Sequence, residues 1–181
     1  MKLFFRFILK MLLILTILAG CETTEEIKET DLAAILNQGV DFTKNDQNDR
    51  AIAYFNKALE INPRSAEVYY NRGLAYGKGK GQYDQAIADF NKAIEINPRF
   101  ALAYSNRGNA YASKGQYDKA ISDYNKAIKI NPRYAMAYNN RGVAYDEGKG
   151  QYDKAIADYN KAIEINPRYV EAYSNRGVMV K

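Results

Sequence analysis

Two residue types recur in this chain at a spacing that could do chemistry. Asn37, Asn71, Asn106, Asn140 and Asn175 follow one another at intervals of 34, 35, 34 and 35 residues. Arg72, Arg107, Arg141 and Arg176 each stand one place after the last four of these. A side-chain amide carries both a donor and an acceptor, so it can hydrogen-bond the N–H and C=O of a peptide whatever its side chains. A guanidinium instead grips a carboxylate through two parallel hydrogen bonds. Aspartates keep the same rhythm, with Asp89, Asp123 and Asp158 following Arg72, Arg107 and Arg141. The one stretch that lacks the arginine, at Gln38, also lacks the aspartate, at Tyr54. Joint presence and joint absence predict an ion pair tying two elements together; the competing role is a basic groove for acidic ligands.

Catalytic chemistry has little to draw on. The chain contains no histidine, so the commonest general base and metal ligand is missing. Its carboxylates, Glu95 among them, recur at equivalent positions and read as structural. The single cysteine, Cys21, rules out an intramolecular disulfide. No enzyme, metal, cofactor or small-molecule substrate is expected. Residues 1–20 hold three basic residues and no acidic one, so the formal charge of +5 falls to +2 beyond them. That balance does not argue for nucleic acid.

The elements that must position the two ladders follow from a repeat. Pro63, Pro98, Pro132 and Pro167, the only prolines, are 35, 34 and 35 residues apart. Such a period means stacked two-helix units. In the unit from Ala101 to Tyr134, a first helix over Leu102 to Ser113 carries Ala101, Tyr104, Gly108 and Tyr111 at helical spacing. Gly115 suits a left-handed C-cap. In the second helix Tyr117, Ala120, Ile121, Tyr124, Ala127 and Ile128 form the apolar stripe. Asp118 sits in its first turn, where negative charge is favoured. Asn131 and Pro132 end it, because the residue before proline avoids helical angles. Gly108 costs about 1 kcal/mol against alanine inside a helix. Its presence predicts close contact, with Gly108 facing Ala120 or Ala127. The units span 32–65, 66–100, 101–134 and 135–169, with a partial fifth at 170–181.

The pattern Tyr104-x2-Arg107-Gly108-x2-Tyr111, then Ala120-x3-Tyr124, then Pro132 resembles the tetratricopeptide repeat. Tyr104 stands where tryptophan is usual, and Arg107 where leucine is. The resemblance covers residues 32–181 and implies an all-α solenoid of antiparallel helix pairs. It also implies a concave groove, lined by the first helices, that binds a partner protein or an extended peptide. The asparagine ladder is similar to one that lines the groove of O-linked N-acetylglucosamine transferase and grips peptide backbones. Carried over, this assigns backbone recognition to Asn71, Asn106 and Asn140, with Asn37 and Asn175 at the ends. Tyr70, Leu74, Asn109 and Val143 would add side-chain selectivity. The alternative is that these asparagines only hydrogen-bond neighbouring helices. Repeats that clamp a chaperone's terminal carboxylate use lysines; the matching positions here are Leu36, Tyr70, Ser105 and Asn139, so that ligand is not expected.

The copies differ in informative places. The first has Asn48 where the others have Tyr83, Tyr117 and Tyr152, as suits an N-terminal cap. The second and fourth each carry one extra residue, in Gly77-Lys78-Gly79-Lys80-Gly81 and Asp146-Glu147-Gly148-Lys149-Gly150. These strings read as flexible, solvated turns, since neither a preceding strand nor a Gly-Lys-Ser/Thr supports a phosphate loop.

Residues 1–20 form a secretion signal by pattern, with Lys2, Arg6 and Lys10 before an apolar run from Met11 to Ala19. Leu18-Ala19-Gly20-Cys21 resembles the bacterial lipobox. This implies cleavage before Cys21, lipid on its sulfur and a membrane anchor in the cell envelope. The acidic stretch within 21–31 reads as a flexible tether. Together these features predict a membrane-anchored scaffold for protein interactions. A self-associating spacer and a cell-wall saccharide-binding protein are the alternatives.

Overall fold

Each second helix repeats one spacing of buried residues: Ala51, Phe55 and Ala58, then Ala86, Phe90 and Ala93, Ala120, Tyr124 and Ala127, and Ala155, Tyr159 and Ala162. Steps of four and three put each trio on one helical face. Two alanines admit a neighbouring helix, and one ring fills the space between.

The computed structural model describes residues 32–178. Its helices are α1 (32–44), α2 (Asn48–Ile61), α3 (Ala66–Lys80), α4 (Tyr83–Ile96), α5 (Ala101–Ser113), α6 (Tyr117–Ile130), α7 (Ala135–Lys149), α8 (Tyr152–Ile165) and α9 (Val170–Val178). No strand occurs among the described residues. Each helix from α2 onward packs against the next, most extensively in the pairs α3–α4, α5–α6 and α7–α8. First helices of adjacent units also touch, α3 with α5, α5 with α7 and α7 with α9, whereas α2, α4, α6 and α8 do not touch one another. The first helices therefore make the inner wall of a curved stack and the second helices the outer one. The fold is an all-α solenoid of helix pairs.

Local chemistry sets the joints. Gly81, Gly115 and Gly150 take positive φ after the first helices. Asp46 does the same in the first unit at φ 56°, a conformation that aspartate tolerates better than most residues. The second helices end on Asn62, Asn97, Asn131 and Asn166 in extended geometry. Each of these asparagines accepts, through Oδ1, the backbone N–H of the arginine two places on. This closes the turn around the proline.

Two expectations need correction. Gly108 faces the ring of Tyr124 rather than Ala120 or Ala127: a Cβ there would lie 2.7 Å from Tyr124 Cε1. The same relation joins Gly39 to Phe55, Gly73 to Phe90 and Gly142 to Tyr159. The glycine admits the aromatic residue of the trio, and the alanines pack beside it. The extra residues of units two and four, moreover, are not flexible turns. They extend α3 to Lys80 and α7 to Lys149. A Cβ on Gly148 would strike the Tyr117 ring, and Lys149 Nζ lies 2.7 Å from Asp118 Oδ2. The longer α7 is thus docked on the preceding unit.

The first unit closes differently. Where later units carry aspartate, Tyr54 packs its ring 5.1 Å from that of Phe42. An aromatic contact takes the place of an ion pair.

Candidate peptide-binding groove

The arginines hold the helix pairs in register. Arg72 donates from Nε and Nη2 to both carboxylate oxygens of Asp89, at 2.8 and 2.7 Å. Arg107 does so with Asp123 at 2.7 and 2.6 Å, and Arg141 with Asp158 at 2.7 and 2.6 Å. The Arg107 and Asp123 side chains are only 18% and 6% exposed. A third bond from each Nη1 crosses to the preceding unit, reaching Asn56, Asn91 and Asn125. Arg176 reaches Asn160 in the same way. The guanidiniums also lie over Tyr69, Tyr104, Tyr138 and Tyr173, one turn earlier on the same helix. The carboxylates hold the Arg72 and Arg107 guanidiniums above their ordinary pKa. With every arm of Arg72, Arg107 and Arg141 engaged inside the protein, these three arginines are not a basic groove.

The asparagines lie one residue earlier, about 100° round each first helix. The amide donors of the last four are already engaged. Asn71 donates to the Glu67 carbonyl of its own helix. Asn106 donates to the Leu102 carbonyl and to the Tyr70 hydroxyl. Asn140 crosses to Asn109 Oδ1 at 2.9 Å, and Asn175 to Asn139 Oδ1 at 3.1 Å. Asn37 is exposed.

The residues expected to add selectivity fall into two groups. Leu74, Asn106 and Asn109 line a cavity of about 380 Å³ between α3 and α5. Asn109, Asn140 and Val143 line one of about 420 Å³ between α5 and α7. Tyr70 sits within the stack, its ring 4.9 Å from that of Phe100 and 6.0 Å from that of Phe90. Burial pushes the Tyr70 phenol up to about 12, so its hydroxyl receives the Asn106 amide uncharged.

Sequence reasoning missed two sets of residues. Asn56, Asn91, Asn125 and Asn160 form a third ladder, as regular as the others, that receives the arginines. Leu102 and Met136 are 43% and 46% exposed. They stand four residues before Asn106 and Asn140, which places them on the same strip of the inner wall. That offset was visible in the sequence; their exposure was not. Cys21, the signal and the tether lie outside the described residues. Among the described residues, no helix is long and apolar enough to cross a membrane, and no group of acidic or cysteine side chains could hold a metal ion.

Comparison with known proteins agrees with this architecture. A family model described as TPR repeat matches residues 39–79, 80–115, 108–147 and 149–181. A crystal structure of MamA is 32% identical, covers 81% of this chain and 79% of its own, and superimposes with a TM-score of 0.67. The first such domain of Spaghetti (RPAP3), bound to the HSP90 peptide SRMEEVD, is 30% identical over 64% of this chain and 90% of its own, with a TM-score of 0.61. PilF of Pseudomonas aeruginosa shares the fold with a TM-score of 0.78 at 17% identity, over 84% of this chain and 69% of its own. No curated protein matches the chain. The repeat matches, the stacked helix pairs and the MamA likeness together place the chain in the tetratricopeptide repeat family.

Proposed function

We propose that the chain is an interaction scaffold whose inner wall binds an extended segment of a partner protein. The observation that carries this reading is the strip Leu102, Asn106, Asn109 and its counterpart Met136, Asn140, Val143. On each of two adjacent helices an exposed apolar side chain, Leu102 or Met136, stands one turn before an amide, Asn106 or Asn140, with Asn109 or the half-buried Val143 beyond it. Extended peptides present backbone groups at regular intervals, and amides at regular intervals suit them. The first TPR of Spaghetti (RPAP3), 30% identical to this chain, is a relative seen bound to a peptide. Because the amide donors are engaged, the peptide would meet the Oδ1 acceptors or exchange with the Asn140–Asn109 bond. A lipid on Cys21 would hold the scaffold at a membrane of the bacterial cell envelope.

One observation favours a second reading. Asn140 and Asn175 bond across unit junctions, as they would in a purely structural spacer. Saccharide binding finds less support, because Tyr124 and Tyr159 are buried in the core. Replacing Asn71, Asn106 and Asn140 with alanine separates the first two. The groove reading expects lost capture of partners in a crosslinking pull-down from intact cells, with near-normal melting. Full capture with depressed melting would leave only the spacer.

A further inference from the structure

Near-identical units make each inter-unit junction a control for the next, and two of them differ. Between α5 and α7, the Tyr124 hydroxyl donates to Asn109 Oδ1 at 2.8 Å, and Asn140 donates to the same oxygen at 2.9 Å. A polar network thus spans the cavity. Between α3 and α5 the equivalent residues are Phe90 and Leu74. Neither can join such a network, and Asn106 turns to Tyr70 and Leu102 instead. The cavity there is the more enclosed and the more apolar of the two, with Phe90, Ala86 and Ala110 among its lining residues.

The α3 wall adds two features. Gly77 stands where the next unit has Ala112. A Cβ on Gly77 would meet Ala86 Cβ at an ordinary 3.6 Å, so packing does not demand glycine; its effect is to leave space open. Lys78 lines the same cavity, where the following units carry Ser113 and Glu147. Lys44, its counterpart in the first unit, is paired with Asp41, whereas no acidic partner meets Lys78 among the described residues. The strip therefore has a cation beside the apolar cavity and an anion, Glu147, two units further on.

We infer that the junction between α3 and α5 is a specificity pocket for a peptide bearing an aromatic or long aliphatic side chain next to an acidic residue. The apolar side chain enters between Leu74 and Phe90, and the carboxylate meets Lys78. A cavity of this size lies in the range of built ligand sites. Burying one such side chain contributes enough to change affinity by about tenfold or more. The inference rests on the peptide-binding reading and adds the identity of the anchor.

The test is selection of a random octapeptide phage library on the full chain in detergent. The selected peptides are then measured against three variants. Leu74→Asn with Phe90→Tyr rebuilds the polar network of the neighbouring junction, so the fold has a precedent for it. Lys78→Glu alters only an exposed charge. The third is the triple asparagine-to-alanine variant. Selected peptides should share an apolar residue beside Asp or Glu, lose about tenfold in affinity to the double variant, and prefer Lys beside the anchor when selected on Lys78→Glu. Peptides that lack this pair, or that keep full affinity for the double variant yet lose it to the triple variant, would overturn the pocket and leave the groove standing. If nothing is enriched, or binding ignores every variant, the groove reading falls and the pocket with it.

Discussion

Gly108 lies directly beneath the ring of Tyr124, so close that a Cβ would come within 2.7 Å of it. Alanine has the better helix propensity by about 1 kcal/mol, yet the buried ring has no room to retreat. Overpacking of this kind costs about 1–3 kcal/mol. Gly108→Ala should therefore lower stability in urea titrations. Gly177→Ala, where a Cβ meets no described residue within 4 Å, should be neutral or slightly stabilising. Equal effects at the two sites would show that the ring contact does not govern the choice of glycine.

The Arg107–Asp123 pair offers a second measurement. Arg107→Met leaves a nearly buried carboxylate without its partner, and Asp123→Ala strands the guanidinium. Each should cost about 2–4 kcal/mol, more than an exposed pair. A double-mutant cycle should return strong coupling. Arg107→Lys should rescue only part of the loss, because one ammonium cannot span Asp123 and Asn91 as the fork does. Additive single effects would count against the clamp.

Stability should also fall in alkali. Burial holds the Tyr70 phenol at about 12 and raises that of Tyr124 as well, while an unfolded tyrosine ionises near 10. Above pH 10 the unfolded chain releases protons that the folded chain keeps. The contribution is thus full below pH 10 and is lost as pH climbs toward 12. Tyr124→Phe, matching Phe55 and Phe90 of the first two units, should flatten the decline by up to about 1.4 kcal/mol per pH unit. An unchanged slope would mean that Tyr124 is not protected.

The anchor is tested at one atom. Cys21→Ala should abolish incorporation of labelled fatty acid and move the protein from the membrane to the soluble fraction. Labelling that persists in the variant would remove the lipobox from consideration.

The period, the helix pairs and their ends were legible because each copy repeats the same cues. The proline rhythm, the stripe containing Ala120 and Tyr124, and Gly115 all act within about one helical turn of where they are read. The pairing of Arg107 with Asp123 was legible because the first unit lacks both partners. Asn91 is not legible as a partner although its ladder is as regular. Every copy has it, and its partner lies in the next unit, so no contrast within a unit could mark it. The partner of Gly108 is not legible for a related reason: spacing along one helix does not set its register against another. The apolar junction at Leu74 and Phe90 emerged only once the network through Asn109 and Tyr124 was seen in the unit beside it.

The clamp of Arg72 onto Asp89 and Asn56 has a mechanical consequence. Each arginine fastens its own helix pair and the second helix of the unit before it, so a load entering one unit is shared with its neighbour. Helix α1 has no such fastening: Gln38 stands where arginine would, and Tyr54 meets Phe42 by ring contact alone. Tension drawn through the N-terminus would peel α1 away first and stop at α2, which Arg72 fastens to α3 through Asn56. The first helix would act as a sacrificial link between whatever pulls on the N-terminus and the inner wall of the solenoid.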